Sequence, residues 1–172
     1  GGGAGIGRTC ALWWAEEGGA ITVTDISGDR AKDVAAEITK AGGKAIGVKV
    51  DVTNEAEQFA GVAAAVEAFG KLDVMFANAG IPPEGFGTIA LEDFPEELWD
   101  KVNNVVYKGV FFSGKAACQQ FKKQGNGGNI VVTISAGGLN AYPNFGAYCA
   151  GKAGAVGLVK SMAMDWGKYG IR

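Results

Sequence analysis

Tyr148 and Lys152 stand four residues apart in the stretch AYCAGK, a spacing that puts both on one face of a helix. Ser135 precedes Tyr148 by 13 residues and closes an apolar run, NIVVTIS, that reads as a strand over 129–135. The 172 residues contain no histidine, which excludes a Ser-His-Asp triad and any histidine base or metal ligand within this sequence. Acid–base work near neutral pH therefore falls to tyrosine, lysine, cysteine or a carboxylate. Taken alone, Tyr-x-x-x-Lys is a common pairing and carries little weight.

A second group of residues lies at the other end of the chain. GGGAGIGRT places Gly1, Gly5 and Gly7 in a G-x-x-x-G-x-G spacing that runs straight into a helix beginning near Arg8. Glycines let backbone approach a pyrophosphate, and a helix start offers free N–H groups and the positive end of its dipole. Asp25 closes the strand-like run ITVTD, 18 residues after Gly7, where a carboxylate accepts hydrogen bonds from an adenosine ribose. A carboxylate there repels a 2′-phosphate, and positions 4, 26 and 27 carry no basic residue, so NAD is expected over NADP. The same residues nearly spell a phosphate loop of the NTPase type through Gly2, Gly7, Arg8 and Thr9. Arg8 replaces the required lysine, and Asp51 is the carboxylate that would stand in for a magnesium ligand.

The elements that must position these residues alternate in period. Helical patterns at 8–17, at 29–41 (Val34, Ile38 and Ala41 on one face), after Asn54 (Phe59, Val62, Ala63, Val66 and Phe69), at 96–123 and at 147–168 alternate with strand-like runs at 20–26, 44–50, 72–77 and 129–135. Strands alternating with helices predict one α/β domain over 1–172, a doubly wound parallel sheet covered on both faces in three layers. The 29 glycines follow no Gly-X-Y period and accompany only four prolines, so they serve turns and close backbone approaches. A net charge of −2 gives no reason to expect a nucleic-acid partner or an acidic membrane surface. No run of 18 apolar residues predicts a membrane-spanning helix. Cys10, Cys118 and Cys149 form neither a disulfide framework nor a metal knuckle. Reduced thiols in a cytoplasmic protein, with no metal site, are the expectation.

The glycine turn, Asn78-Ala79-Gly80, Ser135 and the Tyr148–Lys152 pair, in that order, resemble the short-chain dehydrogenase/reductase family over essentially the whole chain. The resemblance implies a Rossmann fold and hydride transfer between NAD(H) and a small secondary alcohol or ketone. It implies that Gly1, Gly5, Ile6 and Gly7 cradle the pyrophosphate, that Asp51 and Val52 border the adenine, and that Asn78, Ala79 and Gly80 shape the cofactor pocket. Ser135, Tyr148 and Lys152 match the catalytic trio, with Tyr148 as acid/base and Lys152 also holding the nicotinamide ribose. Tyrosine in water titrates near 10, so service at pH 7 requires roughly 3–4 kcal/mol in favour of the phenolate. Lys152, one turn away, is the source of that help. The resemblance also implies a dimer or tetramer through the helices at 96–123 and 147–168. Phe86, Leu139, Tyr142, Pro143 and Phe145 are expected in a partly apolar pocket wall, Tyr107 in a pocket or interface, and Cys149 in packing.

Two departures follow. Val106 occupies the position, three before Gly109, at which the family carries an asparagine. Valine cannot hold a water in a proton relay, so Val106→Asn is expected to speed turnover. The competing expectation is a Val106 packed in the helix, with the relay running by another path such as Asn103, nearly one turn earlier. The variant then buries an unpaired amide and loses about 1–3 kcal/mol with no kinetic gain. The family also has a strand ahead of the glycines, and a strand, a substrate-binding segment and a last strand beyond the position of Arg172. The expectation is therefore a part of a longer chain, with the sheet interrupted beside the glycine turn. A catalytically impaired NAD-binding scaffold is the alternative reading.

Overall fold

The computed structural model of the chain describes residues 1–81 and 87–172. Phe86 lies outside them. Helices and strands alternate from the start: α1 (Gly5–Glu16), β1 (Ala20–Asp25), α2 (Gly28–Lys40), β2 (Lys44–Lys49), α3 (Glu55–Phe69) and β3 (Val74–Ala77). After a short 3-10 turn at Leu91–Asp93 come α4 (Glu96–Asn103), α5 (Gly109–Gln124), β4 (Asn129–Val132) and α6 (Gly146–Trp166).

β1 pairs with β2 in parallel from Ala20↔Lys44 to Asp25↔Lys49, and β3 pairs with β4 in parallel from Val74↔Asn129 to Ala77↔Val132. Parallel neighbours need a crossover, which α2 supplies for the first pair and the α4–α5 stretch for the second. The α/β parallel fold expected from the sequence is thus present, with the interruption expected beside the glycine turn. Among the described residues the two pairs do not join, and a cavity of about 540 Å³ opens between β1 and β3. Gly2 and Gly7 line it, as do Val62 of α3 and Val110 of α5. The buried Thr22 hydroxyl, also in its lining, has no hydrogen-bond partner among the described residues. On the far edge of β4, Ile130 donates to the Arg172 carbonyl at 2.8 Å and Arg172 donates to that of Gly128 at 3.0 Å.

The helices bury the faces their sequences mark as apolar. Ala31, Val34, Ala35 and Ile38 of α2 pack with Ala11 of α1 and Val23 of β1. Phe121 of α5 closes a second cluster with Ala117, Cys118 and Ile171. Full burial of a side chain such as Phe121 or Ile38 contributes about 1.5–3 kcal/mol. Asn54 caps α3 by accepting from the Glu57 N–H at 3.3 Å.

Three sequence expectations need correction. Ala41 and Ala63 are exposed, whereas Gln58, Gly61, Val62 and Ala65 are the buried residues of α3. Gln58 is buried because its amide donates to the Ser113 hydroxyl at 2.9 Å, and Ser113 donates to the Gly109 carbonyl at 2.8 Å. The helix read across 96–123 contains a π-helical turn at Asn104–Lys108, where the Gly109 N–H reaches the Asn104 carbonyl. The fourth strand ends at Val132, and Ser135 instead caps a 3-10 turn at Ala136–Gly138 by accepting from the Gly137 N–H at 3.1 Å.

Candidate active site

The glycine turn is packed on its inner side and open on its outer side. A Cβ on Gly7 would collide with the Gly1 carbonyl and lie 2.7 Å from the Asn78 amide nitrogen. One on Gly1 would come within 2.8 Å of the Ala79 Cα. A Cβ on Gly5, whose φ is +52°, would meet nothing, and Ile6 beside it is exposed. Ala4 gives α1 no side-chain cap, and the first turn holds no acidic residue. The helix start therefore presents uncapped N–H groups and positive partial charge over open space, which fits a pyrophosphate.

Asp25 sits beneath this turn and is only 3% exposed. Its Oδ1 accepts from the Ser27 N–H at 2.9 Å and from Arg30 Nη2 at 2.8 Å, while Oδ2 accepts from the Gly3 N–H at 3.0 Å. Burial pushes the carboxyl pKa up, but these donors outweigh it and hold the group below the usual carboxylate value. Asp51 uses Oδ1 to accept from both the backbone and the hydroxyl of Thr53, at 2.8 Å each. Val52 packs against Gly109, where an added Cβ would lie 3.0 Å from a Val52 methyl. At Gly80, by contrast, nothing among the described residues comes nearer an added Cβ than the Asn78 carbonyl at 4.0 Å. Arg8 Nη2 donates to both carboxylate oxygens of Glu37, at 2.6 and 2.7 Å. It is thus engaged along the flank of α2 rather than at the turn, which removes the cation that an NTPase-type loop needs.

A chain of hydrogen bonds ties the second group of residues to the first. Lys152, 3% exposed, donates from Nζ to the Thr133 carbonyl at 2.7 Å. The Thr133 hydroxyl donates to Asn78 Oδ1 at 2.8 Å, and Asn78 Nδ2 donates to the Gly1 carbonyl at 3.0 Å. Asn78 thereby links the lysine helix to the glycine turn across the ends of β3 and β4. Burial pulls the Lys152 ammonium below the usual lysine value. Its Nζ lies 5.9 Å from the centre of the Tyr148 ring.

Gly137 lets Ser135 and Tyr148 converge. A Cβ placed there would lie 3.5 Å from Ser135 Oγ and 3.4 Å from the Tyr148 ring. The Cys149 sulfur lies 3.4 Å from the same point, so the thiol packs against Gly137 beside the site. Leu139, Tyr142 and Pro143 are exposed on the loop between Ser135 and α6, and the Tyr142 and Phe145 rings stand 6.1 Å apart. Tyr107 lies against α6 instead, 3.2 Å from a Cβ placed on Gly154. Thr133, Gly137 and Arg30 join the candidate site, and no motif in the sequence marks them. Thr133 acts through its hydroxyl and its carbonyl, and Gly137 through the space it leaves, neither of which a residue spacing reveals.

Val106 is fully buried, clustered with Val102 and Ala147 against Tyr148. Its methyl would come within 2.6 Å of a Cβ on Gly151, so α6 rests directly on it. Asn103 spends its amide on the Trp99 carbonyl at 2.9 Å. This packing favours the second of the two outcomes expected for Val106→Asn. The variant buries an amide among apolar neighbours and loses about 1–3 kcal/mol of stability. Chemical denaturation measures that loss, and turnover of the same variant shows whether any relay gain accompanies it.

A doubly wound α/β domain with a glycine turn and a tyrosine–lysine helix meeting at its strand ends is of the Rossmann type. The chain belongs to the short chain dehydrogenase family, which it matches over residues 1–172. It is 41% identical to an uncharacterized oxidoreductase of Thermotoga maritima, covering 100% of this chain and 66% of that protein. It is 36% identical to levodione reductase of Leifsonia aquatica, covering 100% and 64%. Among solved structures, a short-chain type dehydrogenase/reductase from Mycobacterium marinum superposes with a TM-score of 0.92 at 33% identity, covering 100% of this chain and 67% of that one. A 7α-hydroxysteroid dehydrogenase complexed with NADH and 7-oxo glycochenodeoxycholic acid gives 0.90 at 32% identity, covering 100% and 65%. The chain spans 66% and 64% of the length of the two curated relatives named above.

Proposed function

We propose that this chain carries the nucleotide site and the proton-transfer residues of an NAD(H)-dependent oxidoreductase that interconverts a secondary alcohol and a ketone. The observation that carries the reading is the convergence of Ser135 and Tyr148 on Gly137, with Lys152 tied through Thr133 and Asn78 to the glycine turn. The NADH held by the hydroxysteroid dehydrogenase neighbour supports the cofactor class. The turn of Gly1, Gly5, Ile6 and Gly7 holds the pyrophosphate, Asp25 the adenosine ribose, Asp51 and Val52 the adenine side, and Asn78, Ala79 and Gly80 the floor near the nicotinamide. When bound, the nicotinamide accepts or donates the hydride. Tyr148 takes the alcohol proton in oxidation and returns it in reduction. The Ser135 hydroxyl donates to the reacting oxygen as charge develops on it. Lys152, a buried cation whose Nζ lies 5.9 Å from the centre of the Tyr148 ring, holds the nicotinamide ribose.

The proposed protein works in the cytoplasm as a homo-oligomer through the α4–α5 stretch and α6. Trp99, Tyr107 and Phe111 on the former are 38–42% exposed and supply apolar contact area. Its substrate is a small alcohol or ketone with a partly apolar body, facing Leu139, Tyr142, Pro143 and Phe145.

Cofactor choice tests the nucleotide half of this reading. Fluorescence titration is expected to show NADH binding at least about tenfold more tightly than NADPH, a difference of about 1.4 kcal/mol. Equal affinities that Asp25→Ala leaves unchanged would remove the ribose role from Asp25.

A further inference from the structure

Asp25 is not a bare carboxylate. Arg30, in the first turn of α2, donates to Asp25 Oδ1 from Nη2 at 2.8 Å and from Nε at 3.3 Å. The Arg30 side chain is 55% exposed while that of Asp25 is 5% exposed, so the guanidinium covers the carboxylate from the solvent side. The base of its side chain is fixed against Ser27 and the glycine turn. The Arg30 N–H donates to the Ser27 hydroxyl at 3.3 Å, and a Cβ on Gly3 of the glycine turn would come within 2.6 Å of the Arg30 Cβ. The guanidinium therefore stands between the turn and the end of β1, where the adenosine ribose is proposed to sit. Arg8, the other arginine near the turn, is engaged by Glu37.

Two consequences follow from that placement. A ribose hydroxyl that bonds Asp25 must share the carboxylate with Arg30 or displace it. A 2′-phosphate arriving at the same point meets a carboxylate already neutralised by a cation whose planar fork matches phosphate geometry. Asp25 therefore rejects the phosphate less strongly than an isolated carboxylate would.

We infer that Arg30 is a specificity-determining residue of the nucleotide site, reaching a 2′-phosphate with its free donors while it stays paired with Asp25, and so allowing measurable NADPH binding. The inference rests on the proposed reading of the glycine turn and Asp25 as a dinucleotide site. It is independent of the catalytic roles given to Ser135, Tyr148 and Lys152.

Titration of NADH and NADPH against the parent, Arg30→Ala and Arg30→Lys, at low and high salt, tests it. Arg30→Ala is expected to weaken NADPH by about tenfold or more while NADH stays within about threefold, widening the parent's preference to about a hundredfold. Arg30→Lys, which keeps the charge but loses the fork, is expected to fall between the two. In the parent, NADPH affinity is expected to drop more steeply with salt than NADH affinity, a measurement that needs no variant. Loss of both nucleotides to the same degree in Arg30→Ala, or of neither, overturns the role of Arg30 while leaving the dinucleotide site standing. A parent that binds neither nucleotide overturns the site reading, and the Arg30 inference with it.

Discussion

Tyr148→Phe is expected to lower turnover by about 10²–10⁴-fold, the usual worth of a positioned acid–base group, while NADH affinity stays within about twofold. The range corresponds to about 3–5 kcal/mol of barrier. The substitution removes one oxygen and leaves the ring, which packs against the cluster of Val102, Val106 and Ala147. The ring contacts that seat α6 are therefore kept, and the proton-transfer group is removed. Parallel measurement of kcat and of NADH binding separates the roles, because an interaction made only in the transition state moves kcat and not cofactor affinity. A phenylalanine variant as fast as the parent would mean that the proton passes through another group.

Gly7→Ala has the second largest expected effect, on binding rather than on chemistry. The added methyl has no room, because the Gly1 carbonyl already occupies its position and the Asn78 amide nitrogen lies 2.7 Å away. The turn must open, and Asn78 loses its 3.0 Å bond to the Gly1 carbonyl. Dinucleotide affinity is expected to fall by about a hundredfold or more, equivalent to about 2.7 kcal/mol. Because Asn78 also accepts from Thr133, whose carbonyl holds Lys152, the disturbance reaches the proton-transfer side. Gly18→Ala, beyond the far end of α1, is the control for Gly7→Ala. Its φ of +88° costs about 1–2 kcal/mol for a residue with a Cβ, but its methyl meets none of the described residues and lies away from the glycine turn. NADH titration of both variants, with melting temperatures, distinguishes a closed cradle from general loss of stability.

The sequence made the chemistry-bearing residues more legible than their connections. Tyr148 and Lys152 were visible because a helix has a fixed period, and the glycine turn because only glycine tolerates such close backbone approach. The α/β alternation was equally plain, since Val, Ile and Thr runs and helical faces differ in period. The ends of elements were less clear: TIS continues the β-like composition of NIVV, yet the chain leaves the sheet after Val132 and turns at Ser135. Ala63 was misplaced because a helix as rich in alanine as α3 has little contrast between its faces. The link from Lys152 to the glycine turn was not legible, because it runs through the Thr133 carbonyl and joins residues far apart in the chain. Arg30 escaped for a related reason. It lies five residues beyond Asp25, and only the bend from β1 into α2 brings the two together.

Hydride transfer itself is the most direct test of the account. The parent and Tyr148→Phe are each supplied with oxidised cofactor and a panel of secondary alcohols, and with reduced cofactor and the matching ketones. The absorbance of the reduced nicotinamide is followed in both directions. The account predicts turnover by the parent on at least one alcohol–ketone pair and its near-complete loss in Tyr148→Phe. Tight NADH binding by the parent with no turnover anywhere on the panel would contradict it and leave a nucleotide-binding scaffold in its place.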